Sequence, residues 1–170
     1  MFSTRRPAWP VIISVISSAP DFTQVREINF IQISFHIPQK IKMRDVKTGY
    51  VFHSPPLRHR SSKWYVSLAE YPYHLWPPYV TAGAYILSRQ TLLDLHYGSQ
   101  FTQYFRFDDV FLGLVARKAR IEPVHCPQFY FWKKPYSSSS SYRHVIASHG
   151  YSDPDELKRV WSEQKSAGNA

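Results

Sequence analysis

A single cysteine, six glycines and a shortage of acids set the first limits on this 170-residue chain. Cys126 alone can close no internal disulfide and supplies no cysteine-rich zinc site. None of the glycines falls in a G-x-G-x-x-G or G-x-x-x-x-G-K arrangement, which excludes a dinucleotide fingerprint and a P-loop. No H-E-x-x-H, no G-x-S-x-G and no N-x-[ST] sequon is present. No apolar run approaches the ~20 residues that span a bilayer. Val11 to Ile16 is far too short, and although Arg5 and Arg6 precede it as in a signal peptide, Pro7 and Pro10 interrupt the pattern.

Acids number 12 against 21 Lys and Arg, for a net charge of +9 and an isoelectric point near 9.7. That balance permits nucleic acid, anionic membranes or phosphate-bearing substrates as partners. The excess sits mostly in residues 1–60, with nine bases against three acids. No run of five basic residues occurs, so a nucleic-acid partner is not expected. What the chain does hold is hydrophobic residues at 44%, aromatics at 16% and 13 prolines: globular material, of one domain's length, with stiff loops.

Ile31, Ile33, Phe35 and Ile37 alternate with Gln32, Ser34 and His36, which predicts a half-buried strand over 29–37. Residues 38–62 are basic and proline-punctuated and read as irregular, with a short strand at Tyr50 to His53. Tyr71-Pro72-Tyr73 and Trp76-Pro77-Pro78-Tyr79 exclude helix, because proline fixes φ and biases its predecessor to extended geometry. Val80 to Leu87 reads as a buried strand, after which Ser88 caps a helix through Leu95. Phe107, Val110, Phe111, Leu114 and Val115 follow helical spacing, and Arg117, Lys118 and Arg120 suit that helix's C-terminal end. Three strands are expected at 121–125, 128–132 and 143–148, separated by the serine loop 137–141. Asp153 caps a last helix with Pro154 at its first position. Strands alternating with helices define an α/β or α+β layer arrangement.

Four features could carry chemistry. Asp108 and Asp109 open an apolar helix, where neighbours diverge by about 100° and so cannot face one pocket alike. One could act as a general base with its pKa raised by burial and by the other; equally, both could complement the helix dipole. His149 ends a strand before Gly150, as a metal ligand or as an ordinary exposed histidine. Lys63, Trp64, Tyr65, Tyr71, Tyr73, Trp76 and Tyr79 form a proline-stiffened aromatic group, suited to a sugar face or to a packed lid. Gly83, at mid-strand, implies close approach of a ligand or of another backbone, or simply tight helix–sheet packing. Asp153-Pro154-Asp155 spells D-x-D but reads as a helix start. Cys126 has no activating context and is expected to be a buried thiol.

Several of these segments together resemble a known family. Lys63-Trp64-Tyr65-Val66-Ser67, Glu70-Tyr71-Pro72, Trp76-Pro77-Pro78-Tyr79, Thr81-Ala82-Gly83-Ala84-Tyr85, Phe107-Asp108-Asp109-Val110-Phe111-Leu112-Gly113 and Val145-Ile146-Ala147-Ser148-His149 are similar, in this order, to the β1,3-glycosyltransferases of family 31. The resemblance covers 49–168 and divides the chain into a segment 1–48, partly strand-forming or irregular, and the C-terminal part of a glycosyltransferase domain.

The resemblance implies a partial α/β fold of GT-A type, its acceptor-side half, with a mixed sheet and flanking helices. It implies inverting transfer of galactose or N-acetylglucosamine from a UDP-sugar to a glycan hydroxyl on glycolipid or glycoprotein, with Mn²⁺, in the Golgi membrane. By position, Asp109 would be the base, Asp108 the acid before it, and His149 a metal ligand. Gly83, Trp76, Tyr79, Lys63 and Trp64 would line the sugar sites. The family's D-x-D motif and membrane anchor lie upstream of the matched part, and residues 1–48 offer only Asp21 and Asp45. Mn²⁺ would then rest on His149 and phosphate oxygens, a weak site for a hard cation, and little activity is expected of the chain alone. The alternatives are a noncatalytic carbohydrate-binding or partner-modulating fragment and a basic nucleic-acid module.

Overall fold

A nine-residue strand organises the molecule, and a computed structural model describes its surroundings over residues 12–14 and 47–169. The order is β1 (Ile12–Ser14), β2 (Lys47–Phe52), β3 (Tyr79–Leu87), α1 (Arg89–Gln100), α2 (Asp108–Lys118), β4 (Val124–His125), β5 (Phe129–Tyr130), β6 (Ala147–Ser148) and α3 (Pro154–Ser166). The strands β1, β3, β2 and β4 lie side by side in one mixed sheet, in which β3 pairs antiparallel with both neighbours and β4 runs parallel to β2. A second sheet joins β5 and β6 in parallel. Fold class is thus α/β, mixed sheet with flanking helices, as the sequence predicts. The strand expected at 29–37 lies outside the described residues.

Local chemistry accounts for the elements. Ser88 caps α1, its hydroxyl accepting from the Thr91 N–H at 3.1 Å. Asp153 caps α3 with Pro154 at the first position, its carboxylate accepting from the Asp155 N–H at 2.9 Å. The D-x-D spelling there is a cap. At the end of α2, Arg120 takes φ +56° and the Ile121 N–H bonds the Ala116 carbonyl at 2.8 Å, while Ile121 itself is buried.

Two apolar cores result. One joins Val51, Val80, Tyr85 and Leu87 of the sheet to Leu95, Val115 and Ala116 of the helices. The other gathers Val66, Tyr71, Trp76 and Phe105 beneath Val110 at the start of α2. Each fully buried side chain of this size contributes about 1.5–3 kcal/mol against exposure. Helix α1 crosses α2 at Gly98, where a Cβ would stand 2.9 Å from a Val115 methyl.

The observed strands differ from the sequence pattern in extent. The strand expected from Tyr50 begins earlier, at Lys47, and carries an irregularity between Gly49 and Val51. The three later strands shrink to two residues each. Ile121 is spent closing α2, and Ser139–Tyr142 winds into a 3₁₀ turn that takes the segment before β6. Cys126 is only half-buried, its Sγ 3.8 Å from Gln128 Oε1, because it sits on the loop leaving β4 rather than inside a strand.

Candidate active site

Asp108 and Asp109 open α2 as expected, and the two carboxylates behave differently. Phe107, the residue before the helix, offers no side-chain cap. In its place the Asp108 carboxylate accepts from the Asp109 N–H at 2.9 Å, and Asp109 from the Val110 N–H at 2.8 Å. Asp108 is exposed and Asp109 half-buried. Burial raises the Asp109 pKa above the usual carboxylate value, and the Asp108 charge adds to the rise; donation from the Val110 and Ala82 N–H groups opposes it. Asp109 therefore both complements the helix end and reaches the backbone of β3.

His149 reaches the same strand from the opposite end of the sequence. It follows β6 directly, and its N–H bonds the Tyr130 carbonyl at 3.0 Å. A Cβ on Gly83 would lie 3.1 Å from the His149 ring. The absence of a side chain at Gly83 makes room for that imidazole, so the close approach is to a histidine and not to a helix. Tight helix–sheet packing falls instead at Gly113, where a Cβ would lie 2.6 Å from Tyr79 Cβ. Asp109 and His149, forty positions apart, thus meet β3 at the consecutive residues Ala82 and Gly83.

The aromatic residues divide. Trp64 is exposed, with Lys63 Nζ 4.7 Å from its ring centre, and it meets Phe107 edge-on at 5.3 Å, one residue from Asp108. Tyr79 is half-buried and stacked on Phe52 at 5.8 Å; burial raises its pKa, which the Ser54 hydrogen bond opposes and the Asp109 charge supports. Trp76 lies elsewhere. It is buried in the second core, 4.1 Å from the Tyr71 ring centre and 5.3 Å from that of Phe105, and it offers no open face.

Two residues that the sequence reading passes over matter here. Arg58 donates to the carbonyls of Val66, Ser67, Tyr71 and Tyr73 at 2.8–2.9 Å and so ties the loop carrying Trp64 to one point. Only the prolines at 55 and 56 hinted that this segment is fixed. Lys47 is 1% exposed and its Nζ has no hydrogen-bond partner among the described residues; burial lowers its pKa to about 8, partly opposed by the Asp109 charge.

Among the described residues no three His, Cys, Asp or Glu side chains come together to hold a metal ion. His149 offers one nitrogen, Asp109 is engaged by backbone N–H groups, and Asp108 is turned to solvent. These residues do not by themselves make a Mn²⁺ site. No helix among them is long and apolar enough to cross a membrane.

The mixed α/β sheet with its flanking helices is consistent with part of a glycosyltransferase fold. The galactosyltransferase family matches residues 28–127, and the chain belongs to that family. It is 55% identical over 122 residues to β-1,3-galactosyltransferase brn of Drosophila melanogaster, covering 72% of this chain and 38% of that protein. It is 34% identical over 145 residues to β-1,3-galactosyltransferase bre-5 of Caenorhabditis elegans, covering 81% and 44%. With β-1,3-galactosyltransferase 1 of Mus musculus it shares 36% over 119 residues, 70% and 36% of the two chains. The chain matches less than half the length of these relatives.

Proposed function

We propose that this chain provides the acceptor-activating part of an inverting β1,3-hexosyltransferase. Asp109 takes the proton from an acceptor sugar hydroxyl. The freed oxygen attacks the anomeric carbon of a UDP-linked galactose or N-acetylglucosamine, the bond from that carbon to the diphosphate oxygen breaks, and UDP leaves with inversion. One observation carries the reading: Asp109 and His149 converge on Ala82 and Gly83 of β3 from separate elements. The raised Asp109 pKa suits a base that must hold a proton briefly, and Trp64 beside Phe107 gives an exposed ring for the apolar face of a sugar. Mn²⁺ as cofactor, a glycolipid or glycoprotein acceptor and residence in Golgi membranes complete the proposal by family resemblance.

Titration of the 170-residue chain with an acceptor disaccharide, paired with a radiolabelled UDP-sugar transfer assay, tests it. Saturable acceptor binding that survives Asp109→Asn, with any transfer abolished by that change, is expected. Transfer persisting in Asp109→Asn overturns the base assignment.

The lack of a three-ligand metal cluster among the described residues favours a second reading, a carbohydrate-binding fragment without catalysis. It predicts glycan binding indifferent to Mn²⁺ and no transfer by the wild-type chain.

A further inference from the structure

The corner where α1 and α2 end carries an exposed aromatic and cationic surface that the proposed reaction does not use. Phe101 is 81% exposed, Tyr104 77% and Tyr97 59%, while most other aromatics among the described residues are wholly or partly covered. Contacts hold Phe101 and Tyr104 beside α2, and Tyr97 lies about one turn before Phe101 on α1. Lys118 Nζ donates to the Phe101 carbonyl at 3.1 Å, Tyr104 lies against Phe111 at 5.8 Å, and Gly98 brings the end of α1 onto Val115 of α2. Arg117, Lys118 and Arg120 are all exposed, and none of the three has an acidic partner within salt-bridge distance among the described residues. No Asp or Glu occurs between Asp94 and Asp108, or between Asp109 and Glu122.

Arg120 adds an independent sign. Its φ of +56° is the left-handed conformation that glycine adopts freely and a side chain resists, at about 1 kcal/mol or more. The position keeps a cation where glycine would serve the fold better, and such a departure points to use.

We propose that this corner docks on a phospholipid bilayer surface, with the rings of Phe101, Tyr104 and Tyr97 at the headgroup level and the α2 cations against lipid phosphates. Rings with one apolar body favour that depth, and cations gain from anionic headgroups. A second copy of the chain fits poorly, since a two-fold contact would set the cations at the end of α2 against themselves. The placement is independent of the sugar-transfer proposal and stands or falls separately.

Vesicle co-sedimentation of the full chain tests it, using phosphatidylcholine alone and equal parts of phosphatidylcholine and phosphatidylserine. Binding is expected to be stronger with phosphatidylserine and to weaken as salt rises. The basic first 60 residues could also attract vesicles, so the variants decide. Phe101→Ser with Tyr104→Ser should abolish most binding, and Arg120→Gly should weaken it about fivefold while raising the melting temperature. The opposite signs of that last pair separate a docking cation from a structural one. Variants that bind vesicles as the wild type does overturn the proposal, as does self-association in sedimentation that the Phe101→Ser, Tyr104→Ser double change dissolves. Single-stranded oligonucleotide binding lost in the same double variant, with vesicle binding intact, overturns it too.

Discussion

A carboxylate held partly out of water weakens the fold that holds it. The raised Asp109 pKa means that the folded chain binds its proton more tightly than the unfolded chain does. Its stabilising contribution is therefore complete below the ordinary aspartate range and is lost as pH rises through the raised value. Asp109→Asn should melt at a higher temperature than the wild type at neutral pH, with the difference vanishing in acid; thermal scans across pH check this. Lys47 has the converse shift. Its pKa, lowered to about 8, leaves the folded chain with fewer protons between that value and 10.5, so stability should climb over this interval until tyrosine ionisation intervenes. The gap corresponds to roughly 3 kcal/mol as an upper bound. Lys47→Met, similar in length and without the charge, should gain on the order of 1–3 kcal/mol at pH 7 in urea denaturation and remove the climb. Asp109 was legible as a candidate because two acids at the mouth of an apolar helix are an unusual start. Lys47 was not, since nothing in Val46-Lys47-Thr48 says that β2 places this position on the buried face.

Elements meet in this molecule through glycines, and each junction makes its own prediction. Gly113→Ala would drive a Cβ to 2.6 Å from Tyr79 Cβ between α2 and β3, which neither backbone can easily avoid. A loss of about 1–3 kcal/mol in chemical denaturation is expected, despite alanine's better helix propensity. Gly83→Ala meets His149, its ring at 3.1 Å and its Cβ at 3.2 Å, so the exposed ring must turn and the segment after β6 must give by a few tenths of an ångström. Stability should change little while the His149 imidazole resonances shift in NMR spectra. The caps at Ser88 and Asp153 and the period of α2 could be read from sequence because they depend on neighbours within a turn. The short strands near the C-terminus could not. Their residues have the composition of strands, yet Ile121 closes a helix and Arg143 caps a 3₁₀ turn in helical geometry because tertiary contacts outweigh local preference.

At the scale of the whole chain, two cores share α2: one beneath the sheet, the other beneath the proline-rich loop. The aromatic group in that loop looked uniform in sequence, but the fold sorts it into buried Tyr71 and Trp76 and exposed Trp64 and Tyr73. Composition cannot make that division, because it depends on which rings Phe105 and Val110 can reach. The sorting rests on Arg58, whose fork holds four carbonyls at once. Arg58→Lys should not substitute, since an ammonium lacks the planar fork. A loss on the order of 3 kcal/mol is expected in a thermal melt, accompanied by faster proteolysis between residues 58 and 76.

That four-carbonyl clasp also bears on thermodynamics far from folding. Ordering a dozen or so loop residues ordinarily burdens the moment of association, and here it is settled before any guest arrives. A saccharide reaching Trp64 would meet a surface already at rest, so calorimetry should record only a slight entropic penalty for its capture.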